Sequence, residues 1–191
     1  MKRATDGAAR PQSVRLVVAL MGVPGAGKST VARYLFAALP LHVVDRDAIR
    51  AALFPRCEFT SAEKDAANAA VLGAVEANCR LGRASLVDGM TFARASDLDA
   101  LRERVVASGF RLLPLFLECP AEVARARVTT QMGSAHPARD RSPALVTAVA
   151  ARFDTPPADA RRIDANQPED AMCRDALAVV RAALGSELGQ S

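Results

Sequence analysis

The densest chemistry in this chain lies in ten residues, MGVPGAGKST, from Met21 to Thr30. Gly22, Gly27, Lys28 and Ser29 stand in the order G-x-x-x-x-G-K-S. Glycines at Gly22, Gly25 and Gly27 let the backbone bend until successive amide N–H groups point at phosphate oxygens. At this spacing Lys28 reaches the β- and γ-phosphates of a nucleotide, and the Ser29 hydroxyl ligates Mg2+. The expected nucleotide-binding set is Gly22, Pro24, Gly25, Ala26, Gly27, Lys28, Ser29 and Thr30. The guanine-reading order N-K-x-D occurs nowhere, which disfavours a GTPase switch and makes ATP with Mg2+ the expected cofactor pair.

A second cluster follows in VVDRDAIR, from Val43 to Arg50. Asp45 and Asp47 close a short apolar run, and Arg50 comes one helical turn after Asp47. If that run is a strand of an open α/β sheet, its carboxyl end faces the ligand crevice. A carboxylate there can take the proton of an attacking hydroxyl, and an arginine can hold an anionic group of the acceptor. Either aspartate can equally serve as the cap of the helix that follows.

The elements that must carry these residues alternate short apolar runs with longer helical stretches, a pattern of parallel strands wrapped by helices. Strands are expected at Val14 to Leu20, Leu41 to Val44, Ser85 to Asp88, Phe110 to Cys119 and Arg162 to Asp164. Pro114 in the fourth of these predicts a bulge or an edge position. Helices are expected from Ser29 to just before Pro40, and over Ala48 to Leu53, Ser96 to Ala107, Ala121 to Thr130, Leu145 to Phe153 and Pro168 to Leu184. The longest begins at Thr60, with Glu63 three residues on as its capping-box partner, and ends near Gly82. The stretch from Gln131 to Pro143 is rich in Gly, Pro and Arg and reads as a mobile loop or lid.

Composition bounds the rest. The chain has 191 residues, half of them hydrophobic, enough for one domain with a substantial core. That domain is expected over residues 13–185, with a lid at about 129–143 and flexible tails at 1–12 and 186–191. Cys57, Cys79, Cys119 and Cys173 form no C-x-x-C pair, so zinc is not expected and idle thiols in a reducing cytoplasm are. No apolar run reaches the length of a membrane span. The net charge of +4 is carried almost wholly by arginine, since Lys2, Lys28 and Lys64 are the only lysines. Such a balance suits anionic ligands. With no Trp and one Tyr, however, stacking platforms for single-stranded nucleic acid are scarce.

GVPGAGKST, DRDAIR, LVDGMTF and LECPAEVARAR follow one another as in a family of small P-loop kinases. This family is the AAA_33-like group related to adenylylsulfate kinase, the phage polynucleotide kinase domain and chloramphenicol phosphotransferase. The resemblance spans about Leu16 to Asp164. It implies a P-loop NTPase three-layer α/β sandwich, with a five-stranded parallel sheet flanked by helices. That architecture is nucleoside-monophosphate-kinase-like, with a mobile lid. It implies a kinase that moves the γ-phosphate of ATP to a hydroxyl. It also maps the general base onto Asp47, the acceptor-binding arginine onto Arg50, and onto Asp45 a helper role at the substrate site, orienting Arg50, the magnesium shell or the loop. Asp88 takes the place of an acid that touches either Mg2+ through water or the acceptor, although Asp88-Gly89 is also a good turn signal. The segment Gly89 to Ala95 would line the acceptor pocket, with Arg94 as an anion contact. Family lids carry two arginines four residues apart. Arg127 matches the first and Gln131 replaces the second, leaving Arg139 and Arg141 as candidate substitutes and Arg125 as a surface charge. The GMTFARAS stretch lacks the proline that adenylylsulfate kinases carry there. The acceptor therefore stays open among adenylylsulfate, a sugar acid, a nucleoside-like compound and an antibiotic. A polynucleotide 5′-hydroxyl kinase and a regulatory nucleotide-binding module with weak ATPase activity are the alternatives.

Overall fold

Every residue of β1 (Leu16–Met21) is buried, and its side chains alternate between two cores. Leu16, Val18 and Leu20 join one core with Val31 and Leu35 of α1 (Lys28–Ala38). Val17, Ala19 and Met21 join the other. A strand covered on both faces reads as an unbroken apolar run, which is why LVVALM shows no polar alternation. The other elements are β2 (His42–Asp45), α2 (Arg46–Leu53), α3 (Ser61–Arg80), β3 (Ser85–Asp88), α4 (Ala95–Ala107), β4 (Arg111–Glu118), α5 (Ala121–Gln131), α6 (Pro143–Ala151), β5 (Arg161–Asp164) and α7 (Glu169–Leu188). The computed structural model describes residues 14–131 and 142–188.

The five strands are parallel in the order β2-β3-β1-β4-β5. Helices α3 and α4 cover one face through Val71, Val75, Leu98 and Leu101. The opposite face packs against α1, α5, α6 and α7, with Ala124, Val128, Val146, Val149 and Met172 in its core. This is the three-layer sandwich expected from the sequence. The long helix α3 starts where its capping box predicts. The Thr60 hydroxyl accepts from Glu63 N at 3.3 Å, and the Glu63 carboxylate accepts from Thr60 N at 2.9 Å.

Three expectations need correction. Pro114 sits in an interior strand, with its register to β1 unbroken from Leu16↔Arg111 to Met21↔Phe116. The ladder from β4 to β5 begins only at Leu115, so one side of Pro114 is still unpaired and can absorb its missing N–H. Helix α2 begins at Arg46 rather than Ala48, because Asp45 caps it. Helix α7 runs from Glu169 to Leu188, past the expected helix end at Leu184. Arg139 and Arg141, most of the expected lid, and residues 1–12 and 189–191 lie outside the described residues. All four cysteines are free, with Cys79 and Cys173 buried. Among the described residues, no helix is long and apolar enough to cross a membrane.

Candidate active site

The loop between β1 and α1 is shaped by backbone rather than by side chains. Gly25 has φ +84°, and a Cβ there would stand 2.6 Å from the Ala124 carbonyl oxygen. Only glycine allows this approach of the loop to α5. Gly27 occupies the N-cap of α1 in a left-handed conformation, and no side chain caps that first turn. An uncapped helix N-terminus behind a glycine turn is a ready anion site. Buried Lys28 donates from Nζ to the carbonyl oxygens of Gly22 at 2.8 Å and Val23 at 2.9 Å. Its ammonium thus lies over the loop it would serve. Ser29 and Thr30 follow in the first turn of α1, half-buried, and the Thr30 hydroxyl accepts from Arg33 at 3.3 Å.

Two strands away, the structure separates the roles of the two aspartates. Asp45 is the helix cap: its Oδ1 accepts from Asp47 N at 2.8 Å and Ala48 N at 3.3 Å. Asp47 is released from that task and pairs instead with Arg50, Oδ1 to Nη2 at 3.0 Å, with side-chain exposures of 10% and 4%. The capping reading holds for Asp45, and Arg50 is oriented by Asp47 rather than by Asp45. Arg46 flanks the pair, with Nη1 4.0 Å from Asp47 Oδ1 and Nε donating to Asn68 Oδ1 on α3 at 2.6 Å. The ring of Phe59 lies 4.7 Å from the Arg50 guanidinium.

Asp88 joins this cluster through the sheet, since β2 and β3 pair Asp45 directly with Asp88. Asp88 is 4% exposed. Its Oδ1 has no hydrogen-bond partner among the described residues. Next to it, Gly89 has φ +80°, and a Cβ there would stand 3.0 Å from Asp47 N and 3.1 Å from Arg46 Cβ. The missing side chain lets the end of β3 press against the start of α2, bringing Asp88 and Asp47 to one place. From there the chain crosses to the phosphate loop, where the Thr91 carbonyl accepts from Gly22 N at 3.1 Å.

This oxygen-donor set fits Mg2+. A buried, unpartnered Asp88 oxygen ends the strand beside β1, and the Ser29 hydroxyl opens the helix that follows β1. Among the described residues, no cluster of three or more His, Cys, Asp or Glu could hold a metal alone. Magnesium does not need one, because it usually keeps several waters and takes one or two protein oxygens together with substrate phosphates.

The remaining candidates occupy the rim. Arg94 is 58% exposed at the N-cap of α4, 3.9 Å from Asp154 Oδ1. Asp154 also clamps the neighbouring backbone: it accepts from Ala95 N at 2.9 Å, and its own N–H donates to Ala93 O at 2.8 Å. Half-buried Arg127 donates to Cys119 Sγ at 3.8 Å, and burial pushes that thiol up from its ordinary pKa. A cavity of about 330 Å3 opens beside the loop, lined by Val23, Cys119, Phe153 and Asp154 among others. Burial raises the Asp97 carboxyl, although Arg46, Arg152 and Arg94 lie close enough to pull it down.

Sequence reasoning missed Arg46, Asn68, Phe59 and Asp154. Arg46 carried a signal, since it stands between the two aspartates. Asn68, Phe59 and Asp154 reach the site only through tertiary packing.

The AAA_33 family model, described as an AAA domain, matches residues 17–170. Among solved structures, a gluconokinase from Sinorhizobium meliloti 1021 superposes with a TM-score of 0.67 at 23% identity, over 95% of this chain and 100% of its own. A sugar kinase from Janibacter sp. HTCC2649 gives 0.67 at 22% identity, over 90% of this chain and 97% of its own. The APS kinase of Mycobacterium tuberculosis, solved with AMPPNP and APS, gives 0.67 at 17% identity, over 90% and 99%. At these identities the likeness is one of fold. No curated protein matches the chain.

Proposed function

The chain belongs to the AAA_33 family, and from that premise we propose that it is an ATP-dependent kinase acting on a hydroxyl of a small-molecule acceptor. The observation that carries this reading is the buried Asp47–Arg50 pair at the carboxyl edge of the sheet, beside Asp88 and two strands from the phosphate loop. A recessed carboxylate paired with an arginine supplies the two groups that proton removal and acceptor binding need.

In this reading the loop amides and Lys28 hold the ATP phosphates, and Arg50 holds a polar group of the acceptor. The acceptor oxygen forms a bond to the γ-phosphorus as the bond from that phosphorus to the β–γ bridging oxygen breaks. The hydroxyl proton passes to the Asp47 carboxylate. Lys28 and Arg127 offset the charge on the transferring group and on the ADP that leaves. Mg2+ held with help from Ser29 and Asp88 would neutralise phosphate charge. Asp45 sets the start of α2, so it positions Asp47 rather than touching the acceptor. Arg94 lies at the rim as a contact for an anionic acceptor.

Residues 13–185 are read as one kinase domain, with residues 129–143 as the lid that excludes water and Arg139 or Arg141 replacing the arginine missing at Gln131. The free thiols support a cytoplasmic setting. Adenylylsulfate, sugar acids, nucleoside-like compounds and antibiotics are the acceptors to screen. The near-complete burial of Asp47, Arg50 and Asp88 favours a compact acceptor over the open groove that a polynucleotide end needs. The test is an acceptor screen that follows ADP release with ATP and Mg2+. One acceptor class should stimulate release, and Asp47→Asn should abolish that stimulation. Slow ATP consumption that no acceptor stimulates would favour a regulatory module instead.

A further inference from the structure

Arg50 is held from two sides, and the second side is built with some effort. On one side stands Asp47, 3.0 Å away. That contact is an ion pair by distance, yet Arg50 Nη2 remains without an aligned hydrogen bond. On the other side the Phe59 ring sits 4.7 Å from the guanidinium. Phe59 has φ +58°, the left-handed region that a bulky residue rarely adopts without a reason. It lies in the connection between α2 and α3, which no strand supports.

What fixes that connection is Glu63. Its carboxylate accepts from Glu58 N at 3.1 Å, from Thr60 N at 2.9 Å, from the Thr60 hydroxyl at 3.3 Å and from the Cys57 thiol at 3.7 Å. One carboxylate thus gathers both backbone N–H groups that flank Phe59. Those two N–H groups, Glu58 first, hold the Glu63 carboxyl below its ordinary range, as expected where the charged form is the one being hydrogen-bonded. A capping box alone needs only the Thr60 contacts. The added grip on Cys57 and Glu58 serves the loop, and the loop delivers the ring.

We infer that Phe59 is a positioning residue for the acceptor site. Its ring, held by the Glu63-bound loop, fixes the plane of the buried Arg50 guanidinium against Asp47, so that the pair meets the acceptor in one orientation. A planar cation between a carboxylate and an aromatic face has little freedom to rotate, so acceptor binding need not order it. This inference rests on the proposed phosphotransfer reading, and its failure is separable from the failure of that reading.

The experiment compares Phe59→Leu, Phe59→Tyr and Glu63→Ala with the unaltered full-length chain. The first readout is kinetic, using the acceptor that best stimulates ADP release. The second is the Arg50 Nε–H resonance of the acceptor-free protein, its chemical shift and its exchange rate with water. Phe59→Leu should raise the acceptor KM about tenfold with little change in kcat. It should also move the Arg50 signal out of the ring-current field and speed its exchange. Phe59→Tyr, which keeps the aromatic face, should stay within about twofold of the unaltered chain in KM. Glu63→Ala, which frees the loop without touching the ring, should move both readouts toward those of Phe59→Leu. An unchanged Arg50 signal in Phe59→Leu would overturn the inference, as would equal losses in the Leu and Tyr variants. If Asp47→Asn abolishes transfer while both Phe59 variants behave normally, only the role of Phe59 falls. If Asp47→Asn transfers normally, the kinase reading itself falls, while the Arg50 resonance still decides whether the ring holds the guanidinium.

Discussion

The proposed donor loop and the proposed acceptor cluster are built on opposite principles. Gly22 to Thr30 is a single contiguous stretch whose proposed working groups are main-chain amides, one lysine and the Ser29 hydroxyl. The acceptor cluster gathers Asp47 and Arg50 from α2, Asp88 from β3, Asn68 from α3 and Phe59 from a loop. The first is proposed to bind phosphate through its main chain, so its geometry can be local. The second is assembled by packing, from two helices, a strand end and a loop. Chemistry is local at one pole and assembled at the other.

The largest expected effect tests that division directly. Lys28→Ala should lose both transfer and nucleotide affinity. Asp47→Asn should lose transfer by about 10²- to 10⁴-fold while ATP binding stays within about twofold. Equilibrium binding of a fluorescent nucleotide alongside ADP release measures both. Equal loss of affinity in the two variants would break the separation of poles.

Gly89→Ala should come next, because it injures the acceptor cluster through backbone alone. The new Cβ meets Asp47 N at 3.0 Å and a left-handed φ, at a cost of about 1–3 kcal/mol in stability by denaturant titration. Displacing Asp47 should cut transfer by about 10²-fold and leave nucleotide binding unchanged. Arg50→Lys is milder. It keeps the charge but loses the planar fork and its aromatic contact, so acceptor KM should rise about tenfold with a smaller change in kcat.

The smallest effects lie in the supporting loop. Thr60→Ala should lower stability by about 1 kcal/mol through loss of a helix cap. Glu63 has a depressed pKa in the folded chain, so its contribution is present above the ordinary carboxylate range. It is lost as pH falls through the depressed folded value. Melting temperatures of Glu63→Gln and the unaltered chain should therefore converge in acid and separate toward neutrality. A constant gap at all pH values would show that the charge of Glu63 does not matter.

How much of this could be read beforehand follows from the same contrast. The loop, the strand order of burial and the start of α3 were legible because their causes are local: glycine spacing, an unbroken apolar run, a Thr-x-x-Glu box. Asp47 and Arg50 were legible as a pair because they stand one helical turn apart. Which aspartate caps and which one pairs was not legible, since both occupy the same strand end and only the folded geometry divides the work. Pro114 misled because its placement depends on where β5 begins to pair, which is set by a segment some fifty residues later. Phe59 and Asn68 carried no signal, since an aromatic in a loop or an amide on a helix face acquires meaning only from what it meets.

The two carbonyls that hold Lys28 have a thermodynamic consequence. The ammonium is engaged by main-chain oxygens of its own loop, at 2.8 Å and 2.9 Å. A ligand must therefore outcompete the loop's own main chain rather than fill a void. Phosphate oxygens can do this, because a charge-assisted bond to an anion is stronger than one to a neutral carbonyl. A bare nucleoside brings only neutral acceptors, which offer Lys28 no gain over the carbonyls. If the loop holds phosphates as proposed, it would act as a threshold on ligand charge, taking polyphosphates by exchanging the carbonyl partners of Lys28.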